Sequence, residues 1–191
     1  MSKSRMANFS NIIESQKQDF EIIAEHFKLF KKGHVHRIID HLLLLKDDHG
    51  GFPVDRLTHC LQTATLAYQD GRDTEYVVCA LLHDIGDTLA CFNHADLAAT
   101  LLEPFISEKN YWMLKHHGIF QGYYFFHHIG LDRYQCEVFK DHPYYEYTKE
   151  FCFKYDSPAF NKNMKTLPLD FFIPMLNEII STPKKSLYKN I

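Results

Sequence analysis

The run Ala80-Leu81-Leu82-His83-Asp84-Ile85-Gly86-Asp87 sets an imidazole beside a carboxylate at the end of an apolar segment. Such a pair is costly to bury unless each group is matched by a partner or by a metal ion. Successive side chains on a helix diverge by about 100°. His83 and Asp84 can therefore face one cation only where the helix is ending, and Gly86 supplies that ending. Alone, the pair also reads as a core histidine donating to a carbonyl beside a local cap. Two further residues point to a metal. His59 lies in Leu57-Thr58-His59-Cys60-Leu61-Gln62-Thr63-Ala64, 24 residues before His83, and Asp156 closes Phe153-Lys154-Tyr155-Asp156. Histidine is abundant, at 13 of 191 residues, about three times a common frequency of roughly 2%.

Helices must position these groups. Gln16 to Lys32 reads as an amphipathic helix with Phe20, Ile23, Phe27 and Phe30 on one stripe, ending at Gly33. A short apolar helix follows over His36 to Lys46, and Asp47 to Pro53 is a turn because two glycines and a proline break any helix. Asp55 caps a helix to about Asp70, with Leu57, Leu61, Ala64 and Ala67 inward. Asp73 caps another over Thr74 to Ile85, apolar nearly all round from Tyr76 to Leu82 and so buried on most sides. Further helices are expected at His94–Leu102, Ser107–His117, Glu137–Asp156 (interrupted at Pro143) and Leu169–Ile180. No segment alternates with period two for long enough to make a strand. The class is all-α, in one domain spanning 1–191.

Composition bounds the function. With 46% hydrophobic and 24% charged residues and a net charge of −3, the chain is globular and lacks the basic footprint of a nucleic-acid binder. No apolar run approaches the roughly 20 residues of a membrane span, and the polar Met1–Ser15 segment lacks the apolar core of a signal peptide. A cytoplasmic enzyme with a small-molecule substrate is the expectation. Five cysteines are scattered and never spaced C-x-x-C, which argues against a disulfide framework and a thiolate zinc site.

The order His59, then His83-Asp84, then Asp156 resembles the HD-domain superfamily, from about His49 to Asp156 and most tightly over Leu57 to Asp87. That resemblance implies a helical bundle holding one or two metal ions between helices, with His59, His83, Asp84 and Asp156 as ligands. In dinuclear members two more histidines complete a second metal site. Here they correspond to His94 and His117, with His116 competing for the latter place, and Asp84 would be the bridging, catalytic carboxylate. A sulfur-free N/O site favours iron or manganese over structural zinc.

Two activities share such a site. One is metal-assisted hydrolysis of a phosphate ester, with Mn²⁺ or another divalent ion. The other uses a mixed-valent di-iron pair and O2, as in myo-inositol oxygenase and the oxygenases that cleave hydroxylated aminophosphonates. The L-x-H-x-L-Q-x-A and A-L-L-H-D-I-G runs look closer to the small phosphonate-cleaving oxygenases. Three positions depart from their pattern: Asp87, Gln121 and Phe153 stand where that group meets an anion. His49 and Phe52 stand where it has Tyr and Glu. The expectation is therefore a di-iron oxygenase of a polyol, amino alcohol or cationic substrate, with Asp87, Gln121, Tyr124, His49 and Lys154 as candidate substrate contacts; Asp87 also reads as an acceptor for a metal-bound histidine. The aromatic run after His117 would supply walls.

Overall fold

The computed structural model describes residues 5–188. Among them the elements are helical and none is a strand. In order they are α1 (Lys17–Lys32), α2 (His34–Leu42), α3 (Arg56–Gln69), α4 (Thr74–Leu82), α5 (His94–Leu102), α6 (Glu108–Phe125), α7 (Tyr145–Phe151) and α8 (Leu169–Ile180), joined by short 3-10 turns and one π turn, Cys152–Asp156.

The caps are those the sequence supplies. The Asp55 carboxylate accepts from the Thr58 amide, Asp73 from Tyr76 and Ser107 from Asn110, satisfying helix amides that have no intrahelical partner. α4 is the axis of the fold. Tyr76 through Leu82 are all buried, and α4 packs against α3, α6 and α8. Fully burying each of Leu81 and Leu82 contributes about 1.5–3 kcal/mol. This core fixes where α4 ends, and its end carries His83.

The structure departs from the sequence expectations in four places. α4 stops at Leu82 rather than running to Ile85. The Ile85 amide bonds back to Leu82 and the Asp87 amide to Asp84, three-residue closures that tighten the chain and turn Asp84 toward the same centre as His83. α6 continues through Gly118 to Phe125, so His117 sits mid-helix. The stripe on α1 does not face a core: Ile22 is its buried residue, while Phe20 and Phe30 are 48% and 58% exposed. Phe30 is instead covered by the Arg37 guanidinium at 3.7 Å. The expected Glu137–Asp156 helix is divided into a 3-10 turn, α7 and the π turn; beyond α8, Lys184 pairs with Glu75 and donates its amide to the Pro104 carbonyl.

Candidate metal centre

Six side chains from five segments converge between α3, α4, α5, α6 and the π turn. His59 projects from α3, His83 and Asp84 from the end of α4, His94 from the first position of α5, His117 from α6 and Asp156 from the π turn. A π turn places one extra residue in the helical circuit; here the Ser157 amide reaches back to the Cys152 carbonyl at 2.8 Å, and Asp156 is delivered fully buried. Gly86 is required by close approach: a Cβ there would lie 2.5 Å from the His94 carbonyl oxygen, so any side chain would push α5 off the centre.

The groups fall into two sets that share Asp84. In one, His59 Nε2 lies 3.1 Å from His83 Nε2, 3.2 Å from Asp156 Oδ1 and 3.4 Å from Asp84 Oδ2, which is 3.2 Å from His83 Nε2. In the other, Asp84 Oδ1 is 3.2 Å from His117 Nε2 and 3.3 Å from His94 Nε2, with 3.3 Å between the two histidine nitrogens. Each imidazole is oriented by an acceptor on its far nitrogen. Nδ1 faces the carbonyl of Ala159 for His59 (3.0 Å), of Ala80 for His83 (2.9 Å) and of Leu114 for His117 (2.6 Å), and Asp87 Oδ1 for His94 (3.2 Å).

This arrangement fits a metal. An Nδ1–H donated outward leaves Nε2 of a neutral ring as a lone pair. Four such lone pairs and the oxygens of Asp84 and Asp156 then point at one another, an acceptor-only cluster that a cation reconciles. Asp156 Oδ2 is buried with no hydrogen-bond partner, an orphan that a ligand role would satisfy. Three trios of side chains, His59–His83–Asp156, His83–Asp84–His117 and Asp84–Asp87–His94, each bring their ligand atoms close enough to share an ion. Without a cation the cluster must hold protons. Burial opposes charge on His59, but Asp156 and Asp84 outweigh it and push the imidazole up to about 9. Burial likewise works against the Asp84 carboxylate, yet His83, His117 and His59 hold it well below the usual range. Cys60, beside His59, is buried, and burial pushes its thiol up, away from a thiolate ligand.

The remaining candidates separate. His116 turns away: its Nδ1 bonds the Trp112 carbonyl at 2.8 Å and its ring stacks on that indole, so of the pair only His117 faces the cluster. Asp87 does not project toward a substrate; one oxygen meets His94 and the other pairs with the Arg56 guanidinium. Gln121 donates its amide to Asp156 Oδ1. Tyr124 lines a cavity of about 470 Å³ with Phe120, Tyr123, Tyr134, Tyr145 and Glu137. His49 is exposed in the loop before α3. Lys154 is exposed and paired with Glu150 at 2.9 Å and Asp70 at 3.6 Å, outside the cluster, and Phe153 is 66% exposed. Two contributors escape sequence reasoning. Phe160 stacks on His59 with ring centroids 4.3 Å apart, a contact with no local signal. Arg56, three residues before His59 and so on the same face of α3, was findable from that spacing.

An all-helical fold with a buried His/Asp cluster of this kind defines a metal-dependent enzyme. Residues 56–152 match the model of the HD domain, half of the chain, and the chain belongs to the HD-domain family, whose members bind divalent metals. A search of curated proteins gives no match.

Proposed function

We propose that this chain is a dinuclear iron enzyme that uses O2 to oxidise or cleave a small hydroxylated substrate: a polyol, an amino alcohol or a cationic molecule. The observation that supports its two-metal part is the division of Asp84, Oδ2 toward His59 and His83 and Oδ1 toward His94 and His117. One metal ion would be held by His59, His83, Asp84 and Asp156, the second by Asp84, His94 and His117. Bound iron supplies Lewis acidity toward a substrate hydroxyl and redox capacity toward O2. The chain's own residues do the rest. The four imidazoles keep fixed tautomers, Gln121 steadies Asp156, and Phe160 covers the His59 face.

The substrate class rests on charge. Cations close to the ligands in sequence are engaged: Arg56 with Asp87 and Asp48, Lys115 with Asp96, Lys154 with Glu150 and Asp70. A phosphonate dianion would find the Arg56 guanidinium already committed to Asp87. The cavity along α6 offers tyrosine faces, with Glu137 and Lys149 balancing in charge, which suits a hydroxylated ligand. The test is O2 uptake by iron-loaded protein across polyols, amino alcohols and hydroxyphosphonates, with EPR for a mixed-valent pair. Selective turnover of a phosphonate overturns the substrate class.

A phosphohydrolase is the second reading, favoured by one observation. Arg56 neutralises Asp87, so that carboxylate does not repel a phosphate as its position in the sequence suggests. Phosphate release from nucleotides under anaerobic Mn²⁺ or Co²⁺, with no mixed-valent signal, would select it.

A further inference from the structure

His94 differs from the other three histidines of the centre. His59, His83 and His117 are oriented by backbone carbonyls, which no substitution removes, whereas His94 leans on a side chain, Asp87. Asp87 is itself held. Its Oδ2 pairs with Arg56 Nη1, while Arg56 Nε reaches Asp48 Oδ2 at 3.2 Å. The Arg56 amide donates to the Asp48 carbonyl at 2.9 Å. The guanidinium also packs onto Gly50, where a Cβ would stand 2.5 Å from it at a backbone φ of 52°. The 47–53 turn thus cradles Arg56, Arg56 fixes Asp87, and Asp87 fixes His94. The Asp87 side chain is only 10% exposed, so water does not substitute easily for either partner.

We propose that Arg56 and Asp87 select the tautomer of His94 and thereby set the affinity for the second of two metal ions; the affinity part rests on the two-metal reading above. The chemistry is a matter of donors and acceptors. Arg56 has only donors, and an ionised carboxylate has only acceptors. With one oxygen committed to Arg56, the other is left as the acceptor 3.2 Å from His94 Nδ1, which favours a proton on Nδ1 and leaves Nε2 as a lone pair. That lone pair faces Asp84 Oδ1 and His117 Nε2, each 3.3 Å away. Asp87 is a positioning residue in this role, acting through His94. The first ion, on His59, His83 and Asp156, depends on no such relay.

A double-mutant design separates this role from a merely structural one. In Asp87→Asn the amide oxygen is claimed by Arg56, so the amide N–H₂ turns to His94 Nδ1 and favours the Nε2–H tautomer, which cannot bind metal. Affinity for a second Mn²⁺ should fall about 10- to 100-fold, the usual effect of losing such a partner, while the first Mn²⁺ binds as before and reports that the variant is folded. Adding Arg56→Met frees the oxygen of the substituted amide to accept from His94, so the double variant should bind the second ion more tightly than Asp87→Asn alone. Two substitutions that merely damage the fold would compound instead. Equilibrium dialysis with Mn²⁺ counts the ions. Imidazole ¹⁵N–¹H correlation on chelator-treated protein reads the tautomer directly, Nδ1–H in the unaltered chain and Nε2–H in Asp87→Asn. The inference is overturned if Asp87→Asn keeps both ions at full affinity, if the double variant is as weak as the single one, or if the tautomer does not change. A chain that takes up one Mn²⁺ overturns the two-metal reading and the affinity claim together, and the tautomer measurement still decides what Arg56 and Asp87 do.

Discussion

Glu75 ties together the starts of the two helices that carry His83 and His117. From the first turn of α4 its Oε1 accepts the Ser107 backbone amide at 2.6 Å and the Asn110 side-chain Nδ2 at 2.8 Å, and its Oε2 pairs with Lys184. Burial pushes its carboxyl up, but these donors outweigh burial and hold it at about 2, from an ordinary 4.5. The group is more acidic folded than unfolded, so its stabilisation is present above pH 4.5 and is lost as pH falls toward 2. The difference corresponds to about 3 kcal/mol; the side chain is 15% exposed, so solvent screening trims this only modestly. Glu75→Gln keeps an acceptor oxygen but removes the charge, and urea unfolding at pH 7 should show a loss of about 2–3 kcal/mol. For a chain of this size that lowers Tm by roughly 4–12 °C. Repeated between pH 7 and pH 3, the gap between the two proteins should narrow as the native protein's Glu75 advantage is titrated away. A gap that stays constant down to pH 3 would refute the assignment of that stability to the ionised carboxylate.

Chelation should destabilise the metal-loaded protein by about 3–4 kcal/mol when the ion is present at 100 to 1,000 times its Kd, read as a fall in Tm that added Mn²⁺ reverses. Asp84→Asn should reduce uptake of both ions, because each set of ligands uses one Asp84 oxygen; retention of two ions at full affinity would remove Asp84 as the bridge. Phe151→Ala empties a fully buried site packed on the His83 and His117 rings and should cost about 3–5 kcal/mol by denaturant titration. Lys154→Ala should leave the denaturation midpoint and metal uptake unaltered, since exposed ion pairs contribute little and its partners Glu150 and Asp70 lie outside the cluster.

The sequence by itself determined what is local. Asp55, Asp73 and Ser107 accept from the amides three residues on because cap geometry depends only on neighbouring residues. The burial of α4 follows from apolar residues on every side of it. The association of His59, His83, Asp84 and Asp156 was expected from the resemblance that their order bears to the HD-domain superfamily. Tertiary structure decided what depends on direction. His116 and His117 are neighbours in sequence yet diverge on α6, and only packing against α4 and α5 determines which one faces Asp84. Asp87 reads from its place after the HD pair as either a substrate contact or an acceptor for a histidine, and Arg56, 31 residues away, holds it beside His94. Asp156 reaches the centre through a π turn that helical periodicity does not anticipate. The apolar stripe of α1 marks the same limit: periodicity shows that a face exists, and only the packed chain shows whether anything covers it. The physical reason is common to all four. Capping and amphipathicity act within a turn or two of the chain, whereas the aim of a side chain is fixed by atoms distant in sequence.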